Sequence, residues 1–374
     1  MTVDFALRLA SAAARVLVPE GGSVLIGKDT RVSGYMFESA LEAGFVAAGV
    51  DVMLTGPLPT PGIAYLTKRM NADFGIVISA SHNPYYDNGI KFFDRDGEKL
   101  TDELEAAIEQ HLEAAPITRD SSALGRAVTL TSARTDYMDF CRSTIPDGFD
   151  LGGLKIVVDA SHGAGYKVAP RVIAELGGDV VPVGCSPNGR NINDGCGSTR
   201  PDLLQLTVTG VRADVGLALD GVGDRLVMVD EDGQLIDGDQ LLYALVRDRV
   251  DRAALRGPVV GTVMTNLGLE LALKELGVDF RRASVGDRNV LAMLKEHGGI
   301  LGGETSGHLI CLDKTTTGDG LITALQVLTI MKQSGSTLKQ LVEAMPQLPQ
   351  RMVNVRVTAV SYTHLTLPTI TSGC

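Results

Sequence analysis

Tryptophan is absent from the chain, and aromatic residues make up only 5% of its 374 residues, whereas glycine occurs 43 times. The scarcity of aromatic side chains excludes an aromatic-rich core. A hydrophobic fraction of 44% with so many glycines is typical of an α/β protein with aliphatic cores and many turns. At roughly 100–200 residues per domain, the length allows two to four domains.

Cysteine and positive charge are also scarce. The five cysteines are scattered and form no CxxC pair, which argues against a disulfide framework or a zinc site and favours the reducing cytoplasm. A formal net charge of −11 would repel nucleic acid and anionic membranes, so neither is expected as a partner. An anionic substrate must therefore be attracted by local Arg and Lys side chains.

Long apolar runs are missing as well. No stretch approaches the roughly 20 apolar residues that a membrane span requires. The first residues carry an acid at Asp4 and apolar side chains at helical spacing, which predicts an amphipathic helix rather than a signal peptide. We therefore expect a protein that neither spans nor binds a membrane.

One pattern occurs three times along the chain. Apolar β-branched runs beginning near Ser23, Leu154 and Gly257 each lead into a Gly-containing turn, an amphipathic helix, a further Gly and a second apolar strand. This repeated βαβ pattern predicts three related α/β domains in series. Polar seams and the Pro346/Pro349 pair suggest domains at 1–135, 136–240 and 241–348, followed by a further strand at 349–360.

The last residues do not fit this pattern. Residues 361–374, SYTHLTLPTITSGC, carry no charged side chain and no helical periodicity. We interpret them as a tail unrelated to the fold and leave them out of the fold prediction.

The loop SASHNPYYDNGIK offers the clearest chemistry. It follows the apolar run at 75–78, so it presents Ser81 and His82 at the carboxyl end of a strand, where open α/β sheets bind ligands. A turn at Asn88 and Gly89 would bring Lys91 back towards the serine. The alternative is a local serine turn with a capping role.

The loop LDGVGDR contains two carboxylates. Asp220 and Asp224 follow an apolar strand and are hard oxygen ligands of the kind that Mg²⁺ prefers, while Gly221 and Gly223 allow the backbone to fold so that they converge. The alternative is a hairpin turn with solvated aspartates.

Two further groups of polar residues follow strands. In GGETSGH, the side chains of Glu304, Ser306 and His308 alternate, so an extended loop would turn all three to one side, where they suit vicinal sugar hydroxyls. Arg31 and Arg288 could hold phosphate, although surface ion pairs are the usual fate of such residues.

Together, SASHNPYYDNGIK, LDGVGDR, GGETSGH, VGDR and TTTGDG resemble the motifs of the α-D-phosphohexomutases, in the same order, and the likeness runs from about Leu7 to Val357. Within this superfamily, the chain looks most like the members that act on glucosamine phosphates. The resemblance implies three α/β domains with mixed sheets and the start of a fourth domain. It also implies interconversion of glucosamine 6-phosphate and glucosamine 1-phosphate through a phosphoserine and a sugar bisphosphate.

The resemblance also implies roles for single residues. Ser81 would be the phosphoserine and would supply an oxygen to one Mg²⁺ ion, whose other ligands would be Asp220 and Asp224. Catalytic roles beside Ser81 fall to Lys91, His82 and Arg31. The substrate, a hexosamine phosphate, would be bound by Arg225, Arg288, Glu304, Ser306 and His308.

This chain departs from the family's pattern in three places. Val222 stands where the family's metal loop, DGDGDR, has its middle aspartate, so a weaker affinity for Mg²⁺ is expected. An FGTDGIRG-like motif is not found before Thr2, and an RxSGTEP-like phosphate loop is not reached before the tail. From these departures we expect a copy truncated at both ends, with mutase activity below that of an intact relative.

Two other functions remain open at this point. The chain could be a phosphomannomutase or phosphoglucomutase, because the chemistry is shared and only the sugar loop selects the hexose. It could also be a catalytically inactive chain that only binds sugar phosphate. The sequence leaves the oligomeric state open.

Overall fold

A computed structural model describes residues 1–351 of the chain. Most of the expected strand at 349–360 and the whole of 361–374 lie outside the described residues. In the described part, no helix has both the length and the apolar character needed to cross a bilayer.

The first α/β unit contains five strands and four helices. Its strands are β1 (Gly22–Lys28), β2 (Val50–Pro57), β3 (Phe74–Ile78), β4 (Ile90–Asp94) and β5 (Ala127–Thr129). Its helices are α1 (Val3–Leu17), α2 (Val32–Ala47), α3 (Thr60–Arg69) and α4 (Asp102–Gln110). The strands lie in the order β4-β3-β1-β2-β5, and only the β3–β4 pair is antiparallel. The predicted N-terminal helix is confirmed as α1, whose N-cap is Thr2.

The second unit has the same kind of sheet. Its strands are β6 (Lys155–Asp159), β7 (Asp179–Val183), β8 (Val215–Leu219), β9 (Leu226–Val229) and β10 (Leu235–Ile236). Its helices are α5 (Ala133–Ser143), α6 (Ala169–Glu175) and α7 (Asp202–Val211). The strand order is β10-β9-β8-β6-β7, with β6 parallel to both of its neighbours and β8 antiparallel to β9.

The third unit completes the described fold. Its strands are β11 (Val259–Thr262), β12 (Phe280–Ala283), β13 (Leu301–Gly303) and β14 (Leu309–Cys311), in the order β12-β11-β13-β14. Its helices are α8 (Gly238–Asp251), α9 (Leu267–Glu275), α10 (Asp287–His297), α11 (Gly320–Ser334) and α12 (Leu338–Val342). The expected domain boundaries after residues 135 and 240 fall inside α5 and α8, because a repeat in the strand pattern does not reveal the helix that connects two units.

All three sheets share one arrangement, which confirms the predicted series of related α/β domains. In each, the first four strands of the unit lie in the order fourth, third, first, second, and the third and fourth strands form an antiparallel hairpin. The hairpin loops are residues 79–89, 220–225 and 304–308. The three polar motifs of the sequence therefore occupy the same position in three copies of one fold, at the carboxyl end of a parallel strand.

The three units share a hydrophobic core. One cluster of buried apolar side chains includes Leu25 of β1, Leu217 of β8 and Leu301 of β13. A second cluster, with Ala6, Val24 and others, belongs to the first unit alone. Because burial of apolar surface drives this packing, the shared cluster holds the three hairpin loops in fixed relative positions.

A buried hydrogen bond also connects helices of different units. Tyr137 of α5 donates from its Oη to Asp319 Oδ2 at 2.7 Å, and Asp319 Oδ1 accepts from the backbone N–H of Ile322 at 2.9 Å, which caps α11. Both side chains are almost completely buried. Burial raises the pKa of Asp319 to about 6, and the hydrogen bond from the tyrosine hydroxyl acts in the opposite direction. The hydroxyl is therefore an important donor to a carboxylate that is shielded from solvent.

We predict that Tyr137→Phe lowers the free energy of unfolding by about 1–3 kcal/mol, because it leaves a buried carboxylate oxygen without its hydrogen-bond donor. Urea unfolding followed by circular dichroism would measure this change. Tyr86→Phe is the matched control, since Tyr86 is 67% exposed and should change stability little. Equal stabilities of the two variants would contradict the prediction.

Candidate active site

Side chains from the three hairpin loops meet at one place. Ser81 Oγ donates to Asp220 Oδ2 at 2.7 Å, which joins the first loop to the second. Lys91 Nζ lies 3.6 Å from Asp224 Oδ2, and His308 Nδ1 of the third loop lies 4.0 Å from the same oxygen. Five of the residues selected from the sequence thus form a single cluster.

The serine loop contains a local turn as well as an available hydroxyl. The backbone N–H of Ser81 donates to Ser79 Oγ at 3.0 Å, so the serine turn that was weighed as an alternative is present, and Ser79 forms it. Ser81 itself has a φ of 52°, in the left-handed region. Gly89 closes the loop by accepting from the Ser79 N–H at 2.9 Å. This turn leaves the Ser81 hydroxyl pointing at Asp220.

Arg31 lies under the serine loop. Its side chain is buried and forms an ion pair with Asp29. Its guanidinium donates to Ser79 Oγ at 3.2 Å, to Ser81 O at 3.2 Å and to Asn83 O at 2.6 Å. The donors of Arg31 are therefore taken up by the loop, whose carbonyls would otherwise lack partners, while its expected roles in catalysis and phosphate binding stay predictions.

The loop at 220–225 is a hairpin turn, but its aspartates are not solvated. Asp220 Oδ1 accepts from the backbone N–H groups of Asp224 at 3.1 Å and Arg225 at 3.3 Å. Both carboxylates are buried, with 1% of Asp220 and 6% of Asp224 exposed. The hairpin and the carboxylate site are thus one structure, and the alternative with solvated aspartates was wrong.

Charged neighbours give the two buried carboxylates different acidities. Loss of water and the nearby Asp224 charge raise the pKa of Asp220 to about 7. Burial acts in the same direction on Asp224, but Lys91 and His308 hold its pKa below the ordinary value. In the absence of a cation, therefore, Asp220 holds a proton more readily than Asp224.

The donor set of this loop fits a hard divalent cation with oxygen ligands. Asp224 Oδ1 is buried and has no hydrogen-bond partner among the described residues, which is costly for a carboxylate unless a cation binds it. Val222 is buried and adds no side-chain donor, and its carbonyl accepts from the Thr60 N–H at 2.9 Å. Within residues 1–351, no group of three His, Cys, Asp or Glu side chains is placed to hold a metal ion. The ligands available here are therefore the two carboxylates of this loop and the oxygen of Ser81 from the serine loop.

The third loop folds differently from the expectation. A tight turn forms in which the Gly307 N–H donates to Glu304 O at 2.9 Å and the Glu304 N–H donates to His308 O at 3.1 Å, with a Gly307 φ of 91°. His308 is buried against Asp224, whereas Ser306 is exposed. The prediction that an extended loop turns all three polar side chains to one side was wrong, because the hairpin is too short to remain extended.

Asp287 belongs to the cluster although it was not selected from the sequence. Its Oδ2 lies 3.6 Å from His308 Nε2, and its carboxylate pairs with Lys99. Burial alone would raise the pKa of Asp287, but His308 and Lys99 hold it well below its usual range. Burial also lowers the pKa of His308, against the opposing effect of the Asp224 and Asp287 charges. Asp287 belongs to the VGDR motif, from which only Arg288 was selected as a candidate.

Arg288, the arginine that follows Asp287, lines the same cavity as Asp287 and His308. It pairs with Asp102 and with Glu105 at 2.9 Å, both on α4 of the first unit. The alternative of an ion pair is present in the structure, and the expectation that Arg288 holds phosphate stays a prediction. These pairs connect α10 with α4.

His82 and Arg225 complete the surroundings of Ser81. Burial and the Arg225 charge lower the pKa of His82, whose Nδ1 is buried and has no hydrogen-bond partner in the described part. Arg225 is half-buried, and its guanidinium forms no ion pair with residues 1–351 within 4.0 Å. Arg225 is thus a cation near the serine, and the N–H donors of its guanidinium are available.

Asn193 was also missed. It lies in the polar segment after β7 of the second unit, and its Nδ2 donates to Ser81 O and to Asn83 O, each at 3.0 Å. Nothing in the sequence indicates this contact, since the segment NGRNINDG is typical of an ordinary loop.

Comparisons with known proteins agree with the three-unit structure. Residues 1–117, 135–233 and 237–348 match the phosphoglucomutase/phosphomannomutase alpha/beta/alpha domains I, II and III, respectively. A phosphoglucosamine mutase of Thioalkalivibrio sulfidiphilus is 57% identical over 95% of this chain and 79% of its own length.

Solved structures show the same fold. A phosphoglucomutase/phosphomannomutase family protein of Burkholderia thailandensis superposes with a TM-score of 0.80 at 27% identity, over 93% of this chain and 76% of that chain. An N-acetylphosphoglucosamine mutase of Aspergillus fumigatus, solved with GlcNAc-6P and magnesium, has a TM-score of 0.60 over 80% of this chain and 78% of that one. At 19% identity it supports the fold alone. By the matches to its three domains and to its relatives, the chain belongs to the phosphoglucosamine mutase family of the α-D-phosphohexomutase superfamily.

Proposed function

We propose that this chain interconverts glucosamine 6-phosphate and glucosamine 1-phosphate through a phosphorylated Ser81 and a sugar bisphosphate. The observation that carries the proposal is the Ser81 hydroxyl, 2.7 Å from the buried Asp220 and surrounded by Lys91, His82 and Arg225. Phosphoglucosamine mutases that are 55–57% identical to this chain support the same activity.

In the proposed reaction, the phosphoryl group moves from Ser81 to a sugar hydroxyl. The bond between phosphorus and Ser81 Oγ breaks, and a bond between phosphorus and the sugar oxygen forms. Lys91 donates a proton to the departing Ser81 oxygen, and neutral His82 accepts the proton of the attacking hydroxyl. The reverse transfer at the other end of the sugar regenerates the phosphoserine. Such transfers depend mainly on positioning and on cations that stabilise the equatorial oxygens.

We propose that one Mg²⁺ ion is held by Asp220, Asp224 and the oxygen of Ser81. Bound there, the ion would neutralise charge on the phosphoryl oxygens. The orphaned Asp224 Oδ1 supports this assignment. Val222 leaves the loop with one carboxylate fewer than the family's DGDGDR pattern.

Substrate binding is assigned to Arg225 and to the third hairpin loop. Arg225 offers phosphate a guanidinium that forms no ion pair with the described residues. Glu304 and Ser306 are accessible on one turn and suit the sugar's amino and hydroxyl groups, with His308 behind them. Arg288 is kept as a candidate for phosphate binding, although carboxylates pair with its guanidinium.

The cellular setting is part of the proposal. The described cysteines, Cys141, Cys185, Cys196 and Cys311, are all free thiols, which supports a reducing cytoplasm.

We also propose that the chain is divided into domains at 1–135, 136–240 and 241–348. The boundaries between these domains would lie in the loops before α5 and α8.

The central prediction concerns Ser81. Wild-type protein incubated with glucose 1,6-bisphosphate should gain one phosphoryl group and then convert glucosamine 6-phosphate faster than glucose or mannose phosphates. Ser81→Ala should abolish both, because the acceptor oxygen is gone. Intact-protein mass and a coupled assay measure the two steps.

Ser121→Ala is the matched control, since Ser121 is exposed and remote in sequence from every loop of the site. A preference for mannose or glucose phosphates would favour a phosphomannomutase or phosphoglucomutase. Absence of any phosphoryl gain would instead indicate a chain that only binds sugar phosphate.

Val222→Asp should bind Mg²⁺ about tenfold more tightly than wild type, because it restores a third carboxylate to the loop. Isothermal titration calorimetry measures the dissociation constant. Val222→Asn, of similar shape but neutral, separates the added charge from the added oxygen. An unchanged affinity in Val222→Asp would count against this loop as the metal site.

Mg²⁺ affinity should depend on pH through Asp220. Because burial and Asp224 raise its pKa to about 7, protons compete with the ion below that pH. The dissociation constant should therefore rise by up to about tenfold per pH unit as pH falls below 7, and level off above it. Titrations between pH 5.5 and 8.5, chosen as about 1.5 units on either side of this pKa, measure the curve. A flat profile in wild type would contradict the prediction, and Asp220→Asn provides the reference without this proton.

A further inference from the structure

Two backbone carbonyls of the serine loop are held from two sides. Ser81 O accepts from Arg31 at 3.2 Å and from Asn193 at 3.0 Å. Asn83 O accepts from the same two side chains, at 2.6 Å and 3.0 Å. Arg31 reaches the loop from its own unit, whereas Asn193 reaches it from the second unit, which also carries the carboxylate hairpin.

We propose that Asn193 is a positioning residue for phosphoryl transfer: its side-chain amide fixes the Ser81 backbone relative to the carboxylate hairpin and so aims the Ser81 hydroxyl. This inference rests on the proposed function and deepens it. Asn193 itself touches no reacting atom in this geometry, so it acts through Ser81.

The surroundings of Asn193 support this role. A Cβ placed on Gly221 would lie 2.8 Å from Asn193 Nδ2 and 2.8 Å from Ser81 O, so glycine at 221 permits all three groups to meet. The backbone N–H of Asn193 donates to Ser161 O at 2.9 Å, which ties the residue to the loop after β6. The amide is therefore anchored to the second unit on one side and to the serine loop on the other.

Backbone geometry explains why such an anchor matters. Ser81 has a φ of 52°, and Asn193 has a φ of 60°. Left-handed conformations of non-glycine residues persist only when the surrounding structure enforces them. Since the direction of Oγ follows from the Ser81 backbone, loss of the two amide hydrogen bonds would let the hydroxyl drift from Asp220. A displacement of about 1 Å in a reacting group can reduce a rate by about 100-fold.

The chemistry of the amide also fits the position. One nitrogen carries two N–H donors, and each meets one carbonyl, without adding a charge beside Asp220. Asn193 Oδ1 is buried and has no hydrogen-bond partner in the described part of the chain, so the donors are the groups that matter. A carboxylate of the same shape would face two carbonyl oxygens with no donor.

Asn193→Gly tests the inference, because glycine keeps the left-handed backbone and removes only the amide. In steady-state assays with glucosamine 6-phosphate, kcat should fall about 10- to 100-fold, with KM changed less than about twofold. The rate of phosphoryl transfer to Ser81 from glucose 1,6-bisphosphate should fall by the same factor. Asn193→Asp should fall at least as far, since it replaces the donors by acceptors.

The matched control is Asn71→Gly. Asn71 also has a left-handed backbone, with a φ of 52°, but lies exposed in the first unit, and its variant should retain wild-type kcat. Thermal unfolding of each variant shows whether a loss of rate accompanies a loss of folding.

The outcomes distinguish the positioning role of Asn193 from the proposed mutase function. Wild-type kcat in both Asn193 variants, or a raised KM with unchanged kcat, would overturn the positioning role alone. A fall in kcat matched by unfolding at the assay temperature in both Asn193 variants would also overturn it. Wild-type protein that never phosphorylates Ser81 would overturn the proposed function together with this inference.

Discussion

The structure depends on one contact between two α/β units, the hydrogen bond from Ser81 Oγ to Asp220 Oδ2. It spans 139 residues of sequence and joins two hairpin loops that occupy equivalent positions in their sheets. The bond can persist only if both units keep a fixed relation. The shared apolar cluster, together with hydrogen bonds such as Thr60 N–H to Val222 O, provides that relation.

Electrostatics set the second constraint. A chain with a net charge of −11 buries Asp220 and Asp224 beside the half-buried Asp287, so three carboxylates repel one another within one cluster. Lys91 and neighbouring cations offset part of this charge, and the Asp224 oxygen that has no hydrogen-bond partner within residues 1–351 is suited to a further cation. Val222 adds no charge to this cluster, whereas the aspartate of the family's DGDGDR pattern would add a third carboxylate to the loop and so increase the repulsion when no cation is bound.

The sequence predicted those features that depend on local patterns of residues. Alternating strands, helices and glycine turns predicted the repeated α/β units, and polar loops after apolar strands located Ser81, Asp220 and His308. It could not reveal the contacts of long side chains. Arg31 supports the serine loop and Arg288 pairs with Asp102, and neither contact is visible in the sequence. A flexible basic side chain can support a loop or form an ion pair, and only its neighbours decide.

The sequence by itself determined the number and type of units and the loops that carry the chemistry, because strand and helix periodicity and glycine placement are local properties. Tertiary structure alone decided which groups meet. The pairing of Ser81 with Asp220 and the approach of Asn193 to the serine loop both arise between distant segments. So do the charged neighbours that separate the pKa values of Asp220 and Asp224. Such contacts follow from how three sheets pack around a shared core, which no local pattern encodes.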